Sequence, residues 1–230
     1  MKNFDKETLD HVNRVRTGMS IPRQHAAYLS AIKTHYGFTP GVIYDIGSCV
    51  LHWTSEAEKV WPGSEIVLFD ATDIFEPLYI ESNHKYHIGL LSSESGKTID
   101  FYQNNTDFGG NSYYRENPAY NPEATFLYDD SKIVKLQSET LDSVVKSKKF
   151  NLPDLVKIDV QGAELDVLMG ATEVIKSCKH LIIELRHVEY NIGSPERETI
   201  IEYLDSIGFE NYGMFCNNGP DADYHFVKKD

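Results

Sequence analysis

At 230 residues and 41% hydrophobic content, the chain is long enough to bury one sizeable α/β core and is read as a single domain over 1–230. A net charge of −13 argues against a nucleic-acid partner, because binding phosphates needs a basic face, and the one basic cluster, Lys146, Lys148 and Lys149, reads as a solvated helix end. Cys49, Cys178 and Cys216 are too few and too scattered for a zinc site or a disulfide framework, and no run reaches a signal peptide or the ~18 apolar residues of a membrane span, so a soluble cytoplasmic protein without a membrane partner is expected.

Residues 1–40 read as an N-terminal helical cap. Ile21-Pro22 marks a helix start, and Ala26, Ala27, Leu29, Ala31 and Ile32 carry a helical pattern that breaks at Gly37. Gly41-Val42-Ile43-Tyr44-Asp45 is the first core strand, running into Ile46-Gly47-Ser48, with a helix over 53–60 stopped by Pro62. A second strand over 65–69 closes on Asp70. A helix over 72–80, a strand over 84–90, a turn at Ser95-Gly96 and a strand over 98–103 follow.

From 104 to 130 the pattern fails, and Asn, Gly, Pro and Tyr dominate. A stretch of this length inside a compact domain is either functional or disordered, and its aromatics favour an ordered lid over the acceptor site. Ile133-Val134-Lys135-Leu136 restores strand patterning, and a helix over 141–148 precedes Leu155-Val156-Lys157-Ile158, a short apolar strand that stops on Asp159. Gln161-Gly162 turns the chain, and Ala163, Leu165, Val167, Leu168 and Ala171 recur at helical spacing. Leu181-Ile182-Ile183-Glu184 is another buried strand ending in an acid. A helix from Pro195 to Gly208 leads into strands over 209–215 and 224–228, joined by Asn217-Asn218-Gly219-Pro220. Alternating strands and helices that finish in an antiparallel pair predict a doubly wound α/β sheet with an antiparallel edge.

Asp45, Asp70, Asp159 and Glu184 all end strands, and in such sheets ligands bind outside the strands' carboxyl ends. A dinucleotide turn needs Gly-x-Gly-x-x-Gly to bring backbone up to a pyrophosphate; here Gly47 is followed by Ser48, Cys49, Val50, Leu51 and His52. Asp70 is placed to accept hydrogen bonds from two ribose hydroxyls. One glycine turn plus a ribose acid suits S-adenosylmethionine, which carries a ribose, no phosphate and a cationic sulfur. A nicotinamide-dependent oxidoreductase would share the sheet but lacks its glycines here, and a non-catalytic Rossmann-like binding module would tolerate the altered first turn.

Val42-Ile43-Tyr44-Asp45-Ile46-Gly47, Val67-Leu68-Phe69-Asp70, Lys157-Ile158-Asp159-Val160-Gln161-Gly162-Ala163-Glu164 and Glu189-Tyr190-Asn191 resemble the FkbM family of S-adenosylmethionine-dependent O-methyltransferases. The resemblance implies a mostly parallel, seven-stranded class I methyltransferase sheet with a C-terminal antiparallel hairpin, and methylation of a hydroxyl on a sugar or glycosylated acceptor. Where the family usually has Asn and a second glycine after the first motif, this chain has Cys49 and Leu51; where it has Glu-Pro in the second, this chain has Asp70-Ala71.

The expected cofactor contacts are Asp45, Gly47, Ser48, Asp70, Ala71 and Asp159. An aliphatic hydroxyl holds its proton at neutral pH, so a base or a metal is required. Asp159 and His187 are the catalytic candidates, His187 as the base. Asp159 and Glu184 are hard oxygen ligands suited to a divalent cation such as Mg²⁺. Within the lid, Asn111, Ser112, Tyr113, Tyr114 and Arg115 offer polar groups and flat faces to a small-molecule or glycan acceptor.

Overall fold

The computed structural model describes residues 5–18 and 23–229, so the expected helix start at Ile21-Pro22 lies outside the described residues. In chain order the elements are α1 (Lys6–Gly18), α2 (Arg23–His35), β1 (Val42–Ile46), α3 (His52–Val60), β2 (Glu65–Asp70), α4 (Glu76–Ser82), β3 (Lys85–Ile88), β4 (Leu90–Leu91), β5 (Thr98–Tyr102), α5 (Ala124–Leu127), β6 (Ile133–Glu139), α6 (Leu141–Lys148), β7 (Leu155–Ile158), α7 (Glu164–Met169), α8 (Val174–Ser177), β8 (His180–Arg186), α9 (Arg197–Ser206), β9 (Phe209–Asn217) and β10 (Asp221–Lys228). Among the described residues no helix is long and apolar enough to cross a membrane.

The main sheet has seven strands in the order β3-β2-β1-β7-β8-β10-β9, parallel from β3 to β8 and antiparallel in the last two pairings. Its central strands are buried on both faces, which is why they read as continuous apolar runs. Successive side chains point to opposite faces. Ile43, Leu68, Leu155 and Ile182 therefore join a core with Leu29, Ile32, Trp53 and Ala57 of α2 and α3, whereas Tyr44, Val67, Val156 and Ile183 join one with Val144, Val167, Val174 and Ile200 of α6 to α9.

Three local expectations change. The single strand expected over 84–90 is two strands in two sheets, divided at Gly89: β3 pairs with β2, and the Gly89 N–H still bonds the Asp70 carbonyl at 2.9 Å, whereas β4 pairs with β6. β4, β6 and β5 then form a separate three-stranded sheet. The helix expected over 163–171 stops at Met169, and α8 follows as a separate short turn. The segment over 104–130 holds the four-residue helix α5 and is pinned at both ends of its course. The Tyr128 hydroxyl donates to the Asp107 carbonyl and accepts from the Gly110 N–H, and isolated bridges join Tyr102 to Ser112 and Glu116 to Asn191.

Candidate active site

Two cavities open at the carboxyl ends of the parallel strands and share Gly47, Cys49, Phe108, Gly109 and Asp159 along their common edge. The first, of about 220 Å³, lies over β1 and β2 and is lined by Asp70, Ala71, Phe69, Leu90 and Phe101. The second, of about 470 Å³, lies toward β8 and β10 and collects Lys157, Glu184, Asp221, Asp223, His25 and Asp107.

Backbone conformation builds the first cavity. Gly47 has φ +84°, and a Cβ there would sit 1.8 Å from the Asp159 carbonyl oxygen, so the β1 turn and the end of β7 touch backbone to backbone. Only glycine permits that approach. Cys49 (φ 44°) and Leu51 (φ 67°) both lie in the left-handed region. Leu51 thus takes a glycine-like conformation with a buried side chain, at a cost of about 1–2 kcal/mol met by its packing.

The turn aims the Cys49 N–H at Asp70 Oδ2 (2.9 Å), and the Thr72 N–H reaches Oδ1 (2.8 Å). Each carboxylate oxygen keeps a lone pair for a further donor. Burial pushes the Asp70 carboxyl up to about 6, against the lowering effect of those two backbone bonds. Beneath the turn, Asp45 is fully buried; Thr54 Oγ1 donates to its Oδ2, while its Oδ1 has no hydrogen-bond partner. Burial holds this carboxyl above its ordinary value, opposed by the charge of Lys157.

The second cavity is built from ionised side chains. Lys157, 4% exposed, places Nζ 2.9 Å from Asp159 Oδ2. Burial opposes both charges, but the pair outweighs it: Lys157 is held above and Asp159 below its ordinary value. Gln161, at φ 57°, donates its amide to Asp159 Oδ1 (2.7 Å) and Glu184 Oε2 (3.0 Å). Arg186 donates to Glu184 Oε2, Asp221 Oδ2 and the side-chain amide oxygen Oε1 of Gln161 at 3.1, 3.1 and 2.8 Å. Burial and the neighbouring Asp159 push the Glu184 carboxyl well up.

These placements sort the expected residues. Gly47, Asp70, Ala71 and Asp159 meet at the first cavity. Asp45 lines neither cavity and supports the turn from below. Ser48 lines the second, with its hydroxyl bonded to the Asp45 carbonyl at 2.6 Å. Asn111, Ser112 and Tyr113 line the first cavity, the side of Asp70. Tyr114 and Arg115 line neither: the hydroxyls of Tyr113 and Tyr114 both donate to Asp166 Oδ2, at 3.0 and 2.9 Å, and Arg115 lies over the Tyr102 ring. The part of the 104–130 segment that reaches the second cavity is Thr106 to Gly109. His187 is not brought to the others. It is exposed, outside both cavity walls, with Nε2 3.2 Å from the Tyr224 hydroxyl. Asp159 and Glu184 are brought together, but the position between them given to a divalent cation is taken by the Gln161 amide, whose N–H groups and flanking cations Lys157 and Arg186 would repel one.

Lys157, Arg186, Asp221, Asp223 and His25 went unread as site residues. For the first two a signal existed: a cation inside an apolar strand run is buried only when paired. The others come from distant elements and carry no local pattern.

The family profile described as "Methyltransferase FkbM domain" matches residues 44–212. The chain belongs to this FkbM methyltransferase family. No curated protein matches the sequence. Among solved structures, human N-acetylserotonin methyltransferase in complex with S-adenosylmethionine is similar, with 11% identity over 97% of this chain and 56% of that one, at a TM-score of 0.50. The FkbM chain therefore spans just over half of the human protein's length. Precorrin-6y C5,15-methyltransferase from Geobacter metallireducens (12% identity, 90% of this chain and 87% of that one, TM-score 0.49) is also similar. So is magnesium protoporphyrin IX methyltransferase from Synechocystis PCC 6803 with bound S-adenosylmethionine (11%, 100% and 87%, TM-score 0.46). At 11% identity the likeness to the human enzyme is one of fold.

Proposed function

We propose that this methyltransferase moves a methyl group from S-adenosylmethionine to a hydroxyl of a sugar or other glycan acceptor in the cytoplasm. The observation that carries the reading is the pairing of a one-glycine turn with Asp70, beside a second cavity walled by carboxylates.

The first cavity fits the cofactor. Asp70 would accept from the ribose diol, with its two oxygens already oriented by the N–H groups of Cys49 and Thr72. Phe69, Leu90, Leu91 and Phe101 supply apolar wall that keeps water from the bound group. The turn has no glycine-rich cradle for phosphate, which favours this cofactor over a dinucleotide. Bound there, S-adenosylmethionine supplies an electrophilic methyl group on a cationic sulfur.

Asp159 stands on the shared edge of the two cavities, fixed by Lys157 and Gln161. Its role is to hold an acceptor hydroxyl in line with the methyl group; positioning of this kind contributes several kcal/mol, with an upper range of about 7–11. Asp107, Asp221 and Asn218 add hydrogen-bonding groups around a polyhydroxylated acceptor.

The test offers S-adenosylmethionine with a labelled methyl group to a panel of sugars and glycans and resolves products by mass. A gain of one methyl group on a hydroxyl is expected. Calorimetry that detects NAD but not S-adenosylmethionine would overturn the reading.

A further inference from the structure

A hydroxyl acceptor needs its proton loosened; His187 lies outside the second cavity, and Asp159 and Glu184, which line it, are already bonded to Lys157 and Gln161. A different set of side chains converges on that cavity's wall. His25 from α2, Cys216 from β9 and Asp223 from β10 are all buried, and one ligand atom from each lies within 4.8 Å of the others.

We propose that His25, Cys216 and Asp223 form a Zn²⁺ site whose fourth position opens toward the acceptor cavity. The donor set carries the choice of ion. Imidazole nitrogen, thiolate sulfur and carboxylate oxygen together suit zinc, whereas Mg²⁺ and Ca²⁺ take oxygen ligands and discriminate against sulfur. Three protein ligands with one open position is the arrangement of zinc centres that act on a bound water or substrate oxygen.

The geometry is close to assembled. His25 Nε2 lies 2.8 Å from Asp223 Oδ2, and the ring is held edge-on against Phe215, centroids 5.1 Å apart. Zinc bonds of about 2.0–2.3 Å place tetrahedral ligand atoms roughly 3.3–3.7 Å from one another, so sub-ångström to ångström shifts of side chains complete the site. Asn218 sits beside two of the ligands: its Nδ2 donates to Asp223 Oδ2 (3.2 Å) and its Oδ1 accepts from the Cys216 thiol (3.3 Å). Contacts of this kind orient ligands in metal centres.

His25 and Asp223 line the second cavity, which places the open position on the acceptor side. Resting on the methyl-transfer reading, the ion would bind the acceptor oxygen and lower its pKa, so that the hydroxyl proton goes to solvent; the oxygen pair then forms the new C–O bond as the methyl–sulfur bond breaks and its pair stays on sulfur, releasing S-adenosylhomocysteine.

The experiment uses the full chain and reads the metal itself. Stripped protein is titrated with Co²⁺ as a zinc surrogate and with Zn²⁺, and metal content is measured after purification. One Zn²⁺ per chain is expected, together with a Co²⁺ spectrum that carries a thiolate charge-transfer band. Cys216→Ser removes that band, and Asp223→Asn weakens Zn²⁺ binding at least tenfold. A wild-type Co²⁺ complex without a thiolate band overturns the site, whatever the variants do. So does a band that survives Cys216→Ser, or no uptake of Zn²⁺ at micromolar concentration. Calorimetry with S-adenosylmethionine on the protein before and after stripping runs beside it: no binding in either state would sink the functional reading and leave the metal result standing.

Discussion

The two cavities are neighbours along one sheet edge, yet they are built in opposite ways. The first is a backbone object: Gly47, the left-handed Cys49 and Leu51, and two N–H groups aimed at Asp70. The second is a side-chain object, in which Lys157 and Arg186 hold Asp159, Glu184 and Asp221 in register. Backbone sites tolerate changes of side chain and fail on changes of conformation. An ion network behaves in the reverse manner, because removing one partner strands the others in a low-dielectric interior.

The largest effect separates them on stability. Lys157→Met leaves Asp159 and Asp45 without their buried countercharge, and chemical denaturation at neutral pH should show a loss of about 3–5 kcal/mol. That deficit shrinks in acid as the stranded carboxylates take up protons. A loss below about 1 kcal/mol would mean that the network adds little.

Gly47→Ala tests the backbone side. With φ at +84° and a backbone oxygen 1.8 Å from the new Cβ, the turn must move, and calorimetry should find no S-adenosylmethionine binding at 100 times the wild-type Kd. Retained binding would show that the turn does not shape the cofactor site.

Asp70→Asn keeps the shape and removes the charge, so affinity for the cofactor should fall by roughly 10- to 100-fold, in line with about 1.5–3 kcal/mol for hydrogen bonds to a charged group. The same carboxylate gives a pH dependence. Its folded value of about 6 lies above the ordinary aspartate value. Between that ordinary value and 6 the folded chain holds a proton that the unfolded chain has released, so this group's contribution to stability decreases as pH rises through that window. Cofactor binding, which uses the ionised form, should weaken up to tenfold per unit as pH drops below 6 and stay level above 7. A flat titration between pH 5 and 7 would remove Asp70 as the ribose acceptor.

The smallest effect is expected at His187, which is exposed and outside both cavities. His187→Ala should leave stability within about 0.5 kcal/mol and turnover unchanged across pH. A lost acidic or basic limb in the rate profile would return it to the site.

The chain's own pattern determined the alternation of strands and helices, the antiparallel finish, and the acids at the strand ends. Each of these is written within one or two turns of sequence: apolar runs of four to six residues for buried strands, a terminal Asp, a glycine where the chain must double back. The first cavity's Gly47 and Asp70 were legible for the same reason, since they belong to consecutive strand ends.

Tertiary structure alone decided the rest. The strand expected over 84–90 divides at Gly89 because its first part pairs with β2 and its second with β6 of another sheet. Asn111, Ser112 and Tyr113 fell beside Asp70 because the 104–130 segment folds back through Ser112 onto Tyr102. His25, Cys216 and Asp223 meet only because α2 packs on the antiparallel end of the sheet. Patterning sets which face of an element is buried, whereas the meeting of residues almost 200 positions apart depends on how whole elements stack.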